Sequence, residues 1–353
     1  MHLCNVLDCS GMKCVRKLSL LLMTACVACL SVCSCNKSEE ETVATYRYMD
    51  GRVDFSFPSF VVRNEILTMT AGGITYPENP SYKWLMDKHL YADTLHAKSV
   101  TVQIPDSLAE YSITAYADAP GFYEAYSTFS IMSIDTTFNG SLTGLVQSER
   151  SIFDDRDGQT YPYVTIGRLD WFSRNLSYTG TGVPYMDSPA MHTLFGRYYT
   201  WDEATGGVSG EGLGNGPQGA CPPGWSVPTN EDWVDLAVAL SGDSDIQFTD
   251  EWAGIAPLVS ADAYFREERM WPYSPANGHT NETGWNAIPT GVSQFKGLDY
   301  IGVNAFGFWW SATQKDEQQA FYRYQHYDSD KFPMNNVDKN SIGATVRCVR
   351  IAR

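Results

Sequence analysis

The sequence predicts two folded modules of different class on an exported chain: an all-β module over residues 44–135 and an α+β module over residues 150–353. Three observations carry this. Residues 44–135 alternate apolar and polar side chains with the period of two that strands require. After residue 150, two helix starts with capping boxes stand among short strand pairs and long loops. Ahead of both, seven of the nine cysteines and an uncharged apolar run crowd into the first 35 residues.

The stretch from Leu18 to Asn36 carries no charge and follows the cations Lys13, Arg16 and Lys17. A basic head, a short apolar stretch and small residues at its end describe a signal peptide over residues 1–34, with Met12 as an alternative start. A spanning helix would need about 20 apolar residues. The end of the run, Val32-Cys33-Ser34-Cys35, resembles a bacterial lipobox, which implies lipid attachment at Cys35, with Cys33 as the fallback. Several acyl chains hold far more firmly than one. Residues 35–43 read as an acidic tether; Glu39-Glu40-Glu41 resembles the surface-export signal of Bacteroidota lipoproteins, and is also what a solvated tether looks like. The expectation is a lipid-anchored, surface-exposed protein of the outer membrane, with that membrane as its first partner.

The chain is 43% hydrophobic and 13% aromatic, enough to bury two cores. Its net charge is −16, and removing residues 1–34 takes away three cations and one acid, making it more negative. That balance argues against nucleic acid, whose binding rests on cationic neutralisation of phosphates.

In the first module, Val53, Phe55 and Phe57 share a face, followed by Leu67, Met69 and Ala71 before Gly72-Gly73. Tyr82, Trp84 and Met86 alternate next, then Val100, Val102 and Ile104, then Tyr111, Ile113 and Ala115, and Phe129 and Ile131 close the set. Short strands separated by turn residues predict a two-sheet sandwich. Trp84 and Tyr111 resemble the buried tryptophan and the tyrosine corner of immunoglobulin-like (Ig-like) domains. That resemblance implies a spacer, or less often a ligand binder.

Residues 136–149 read as a linker. The second module opens with Asp154-Asp-Arg-Asp-Gly158, an Asp-Gly hairpin turn that lacks the full calcium-loop spacing. A strand pair joined at Gly167 follows. Thr200-Trp-Asp-Glu203 starts a short helix that ends at Gly206-Gly207. Thr229-Asn-Glu-Asp232 starts a longer one, with Trp233, Leu236, Ala237 and Leu240 on one face and Ser241-Gly242 as its stop. Turns are expected at Asn277-Gly278, Thr283-Gly284 and Phe306-Gly307.

Five motifs recur here in order: Tyr163-Val-Thr-Ile-Gly167 with Trp171 and Arg174-Asn175-Leu176; Ala220-Cys-Pro-Pro-Gly-Trp-Ser-Val-Pro-Thr229 with Glu231-Asp232-Trp233; Phe308-Trp-Trp-Ser-Ala-Thr313; Ala320-Phe-Tyr-Arg323; and Val346-Arg-Cys-Val-Arg350. Together they resemble the Fibrobacter succinogenes major paralogous domain over roughly 200 residues. The resemblance extends to the C-type-lectin-like fold that also underlies formylglycine-generating enzymes. It implies an α+β C-type-lectin-like domain with two helices, a small antiparallel sheet and long loops. Fold alone does not imply function.

Cys221 and Cys348 are the only thiols after Cys35. In an oxidising compartment a disulfide is the default, worth about 4–5 kcal/mol in the chain-entropy model; a catalytic thiol is the alternative. Formylglycine-generating enzymes use a cysteine pair near the C-terminus, and only Cys348 lies there. No His-x-His, His-Glu-x-x-His or Gly-x-Ser-x-Gly occurs, so no metal, cofactor or catalytic residues are expected. Nine of the ten tryptophans follow residue 170. Most are expected in the core, with Trp271, Trp285 and Trp309, joined by Tyr273 and Tyr300, as candidates for an exposed ligand surface. The expected function is a non-catalytic cell-surface lipoprotein that binds a glycan or a surface protein, as in adhesion. The alternatives are a structural envelope or fimbria-associated component, and an enzyme on the formylglycine-generating-like scaffold.

Overall fold

A computed structural model describes residues 45–138 and 140–353. The signal run, Cys33, Cys35 and the acidic tether lie outside the described residues. Residues from Tyr46 to Arg353 form one compact unit.

Seven strands build the first part: β1 (Asp50–Phe55), β2 (Phe60–Val62), β3 (Ile66–Tyr76), β4 (Ser81–Met86), β5 (Ser99–Gln103), β6 (Glu110–Asp118) and β7 (Ala125–Ile134). They form two sheets, β1-β3-β5 and β2-β7-β6-β4, in which only the β2–β7 pairing is parallel. The alternation in the sequence dictates the burial: Val53, Leu67, Met69, Trp84, Val102, Ile113 and Ile131 interdigitate in one core. Trp84 donates its indole N–H to the Ala97 carbonyl at 2.9 Å, so its only polar atom is satisfied. The Tyr111 hydroxyl meets that of Ser107, four residues upstream, at 2.9 Å. Phe129 points inward at the rim, 39% exposed, with its ring 4.5 Å from that of Phe55.

The chain continues through β8 (Leu142–Thr143), which pairs with Tyr264–Phe265, then β9 (Ser151–Asp154), β10 (Gln159–Ile166) and β11 (Leu169–Phe172). β9, β10 and β11 make a four-stranded sheet with the C-terminal strand Val349–Ile351. The Asp-Gly turn joins β9 to β10, and Asp154 there takes the guanidinium of Arg156 at 2.8 Å. Helices are few: α1 (His192–Phe195), α2 (Trp201–Thr205), α3 (Asn230–Ser241) and α4 (Ile255–Val259). Both expected capping boxes form, and α2 and α3 stop where Gly206 and Gly242 take left-handed backbone.

The expectation of an α+β, C-type-lectin-like C-terminal domain is corrected. Some 39% of the described residues lie in strands or bridges and 11% in helices, and no separate α+β domain stands apart. Only α3 carries an apolar helical repeat long enough to persist; α4 contains Pro257 and starts from the left-handed Gly254. Aromatic and β-branched alternation elsewhere favours strands, and the β-structure is divided among several small sheets. The expected turn at Phe306-Gly307 is instead the start of the nine-residue strand Phe306–Gln314.

Three cores fill this part. One surrounds the Cys221–Cys348 disulfide with Phe172, Trp201, Trp225 and Trp310. A second stacks Trp171, Trp233, Trp252, Trp285, Trp309 and Phe332. The third joins Phe60, Val62 and Met132 of the sandwich to Met191, Leu194, Phe195 and Phe265.

Candidate ligand-binding face

The sheet of Phe306–Gln314, Gln319–His326 and Met334–Asp338 has two unlike faces. Its register pairs Phe306 with His326, Phe308 with Tyr324, Trp310 with Tyr322, and Tyr322 with Asn335. Directly paired residues share a face. On the inner face lie Trp309, Arg323 and Gln325, all fully buried. The outer face is a strip of half-buried rings, Phe306, Phe308, Tyr322, Tyr324 and His326, with only Trp310 fully buried beneath.

The rings hold one another in place. Phe308 lies 5.6 Å from Phe306 and 5.8 Å from Tyr324, both stacked, and 5.6 Å from Tyr322. The rings of Tyr322 and Tyr324 are 5.9 Å apart, and those of Phe306 and His326 are 4.2 Å apart. The hydroxyls of Tyr322 and Tyr324 have no hydrogen-bond partner among the described residues. Burial, and then the neighbouring Tyr324, pushes the Tyr322 phenol up, so it remains a neutral donor. The His326 imidazole meets Asp328 at one end of the strip, and the exposed Asn335 lies beside Tyr322. The strip therefore offers half-buried apolar surface edged by polar groups, with no unpaired formal charge on the ring-bearing residues.

The residues singled out from sequence go elsewhere. Trp271, Trp285 and Trp309 have no accessible surface, which corrects the expectation that they are exposed. Trp271 donates to the Ala287 carbonyl at 3.2 Å and stacks on His279. Trp285 lies among Trp171, Trp233, Trp309 and Phe332, beneath the guanidinium of Arg347 at 4.2 Å. Tyr300 is half-buried; its hydroxyl donates to Pro184 O at 2.7 Å and burial pushes its pKa up to about 12. Tyr273 is 76% exposed, beside Arg269. These five residues do not form one surface. What marked the strip in the sequence was period-two alternation, Phe306-x-Phe308 against Tyr322-x-Tyr324-x-His326, and not tryptophan content.

Among the described residues, no group of three or more His, Cys, Asp or Glu side chains is placed to hold a metal. Cys221 and Cys348 are joined to each other. A cavity of about 750 Å³ opens between the edges of β3 and β4, but its Lys83 and Glu124 pair with each other at 2.5 Å.

A family model, the Fibrobacter succinogenes major domain, matches residues 164–350. The chain belongs to that family. No curated protein and no solved structure matches it. Within this Fibrobacter succinogenes major domain, the motif residues chiefly build the interior. Asn175 accepts from Trp309 Nε1 at 3.0 Å and from Arg347 Nε at 2.7 Å, and donates to Phe195 O at 2.9 Å. Arg347 also donates to the carbonyls of Phe172, Trp285 and Asn286. Arg323 donates to the carbonyls of Phe248, Asp250 and Phe332, and its guanidinium lies over Trp252. Burial disfavours both charges, so backbone oxygens replace the missing carboxylates. The motifs that identify the domain are thus largely folding determinants. Phe308 and Tyr322 fall inside two of them because the alternate residues of those strands face outward.

Proposed function

We propose that this chain is a lipid-anchored, non-catalytic binding protein of the outer-membrane surface, and that the strip of Phe308, Tyr322 and Tyr324 holds a glycan. The observation that carries the reading is the strip of mutually packed rings with unpartnered phenol hydroxyls. Ring faces stack on the apolar faces of sugars, and the phenols and Asn335 supply hydrogen bonds to sugar hydroxyls. Polar groups placed around apolar surface are the general pattern of small-ligand sites. The lipobox-like Val32-Cys33-Ser34-Cys35 supports the anchor and an exterior location. A glycan array probed with the signal-free Cys35→Ser chain tests the binding half. Retention of a related set of saccharides is the expected result, and a blank array sinks it. Fatty-acid labelling of the native chain and of Cys35→Ala tests the anchor, with label expected only on the former.

A further inference from the structure

The sandwich end where the chain enters carries an exposed tyrosine cluster. β1 starts there at Asp50 opposite Tyr76, and β4 starts there at Ser81 opposite Asp118. Residues 46–48 run beside the β6–β7 turn: Arg47 N–H donates to Gly121 O at 3.1 Å, and Tyr123 N–H donates to Arg47 O at 2.8 Å. Tyr48 is 80% exposed, Tyr46 and Tyr123 are 50% each, and Tyr76 is 46%. The Tyr123 ring lies 5.4 Å from that of Tyr46 and 5.0 Å from that of Tyr48. Beneath them Phe122 is buried under the Arg47 guanidinium at 4.8 Å, which ties this segment to the turn. None of the four hydroxyls has a hydrogen-bond partner among the described residues.

Clustered exposed rings mark a contact surface, and a phenol suits a boundary that is apolar on one side and wet on the other. At the other end of the sandwich, Phe60 and Met132 are already covered by the Phe195 and Phe265 region. Ten residues lie between Cys35 and Tyr46, eleven steps along the chain. At about 3.5 Å per residue they span at most roughly 40 Å, which keeps the cluster within reach of the lipid headgroups.

We infer that the sandwich rests on the membrane through Tyr46, Tyr48, Tyr76 and Tyr123, inserting these rings at the headgroup level of a phospholipid bilayer. The inference relies on the anchor reading above for its placement. Local charge selects the lipid. Arg47 is outnumbered by Asp50, Glu78 and Asp118, while Glu124 is spent on Lys83. That balance fits zwitterionic headgroups better than anionic ones. The second protein domain is thereby held off the membrane by a sandwich of fixed orientation instead of by a free tether.

The test supplies the anchor artificially, so that native lipidation does not enter. The signal-free Cys35→Ser chain with an N-terminal hexahistidine tag is held on phosphatidylcholine vesicles containing nickel-chelating lipid. A thiol-reactive fluorophore is placed through Glu78→Cys at the tyrosine end, or through Asp243→Cys away from it. Headgroup-nitroxide lipid should quench the first label several-fold more than the second. Tyr46→Ser/Tyr48→Ser/Tyr123→Ser should reduce that difference to the level of the second label. These side chains are exposed, so the fold is expected to persist, and an unchanged melting temperature would check it. Equal quenching at both positions, or quenching indifferent to the triple substitution, would overturn the inference. So would a tyrosine-dependent dimer in sedimentation with no difference in quenching, which would assign the cluster to a second copy of the chain. Absence of acyl label on native Cys35 would remove the anchor reading alone and leave the vesicle result standing.

Discussion

Phe308 and Trp309 are neighbours in sequence and face opposite sides of one strand. Tryptophan count draws attention to Trp309, but the paired alternation of residues 306–308 and 322–326 identifies the outward face. The glycine between Phe306 and Phe308 is set by the inward face, since a Cβ at Gly307 would lie 2.4 Å from the Trp309 ring. His279 carries a second residue-scale consequence. It is buried, both ring nitrogens lack partners, and burial, with the charge of Arg269 adding, pushes its pKa down to about 4 from 6.5. The unfolded chain therefore binds the extra proton between those values. Stability from this site is full above about pH 6.5 and falls by on the order of 2–3 kcal/mol as the pH drops to about 4. Asp232 works in the opposite sense: burial pushes it up to about 6 from 3.8, so its cost is full above pH 6 and fades as the pH falls. His279→Asn, whose new side chain tolerates the positive φ of 47°, should lose less stability than the wild type in urea titrations between pH 6 and 4; His192, also pushed down by burial, contributes its own loss in both chains. An equal loss in variant and wild type over that range would count against His279 as a source.

At the scale of elements, what was legible had either a cap or a period. Thr200 and Thr229 announced α2 and α3, and the alternation of residues 53–131 announced the sandwich strands. Strands of two or three residues, such as β8 or Val292–Gln294, carry no period to read and exist only through their partners. The Thr229 hydroxyl accepts from Asp232 N–H at 3.2 Å and donates to Gly212 O at 3.1 Å. Thr229→Ala should therefore cost about 1–2 kcal/mol in chemical denaturation, whereas no measurable change would show that the cap contributes nothing. The Cys221–Cys348 bridge closes a sequence separation of 127 residues and fixes a loop to the C-terminal strand region. Cys221→Ala/Cys348→Ala should lose up to about 4–5 kcal/mol, read as a lower midpoint that added reductant no longer shifts.

Over the whole molecule, the sandwich and the rest of the chain share a core. Phe60, Val62 and Met132 of the sandwich pack with Met191, Phe195 and Phe265, and Asn286 exchanges hydrogen bonds with Val146 at 2.8 and 2.9 Å. Calorimetry of the signal-free chain should show one cooperative transition; two resolved transitions would mean the shared core contributes little. The interior of the family domain was largely written in its motifs, because buried Trp, Arg and Cys are few and distinctive. The binding face was not, because half-buried Phe and Tyr are common in any strand. The most direct test is isothermal titration of an array-selected saccharide into the wild-type chain, Tyr324→Ala, Tyr324→Phe and the control Tyr273→Ala. Stacking predicts a loss of roughly tenfold for Tyr324→Ala, equivalent to about 1.4 kcal/mol, a smaller loss for Tyr324→Phe, and wild-type affinity for Tyr273→Ala. Affinity unchanged in folded Tyr324→Ala would contradict the glycan strip.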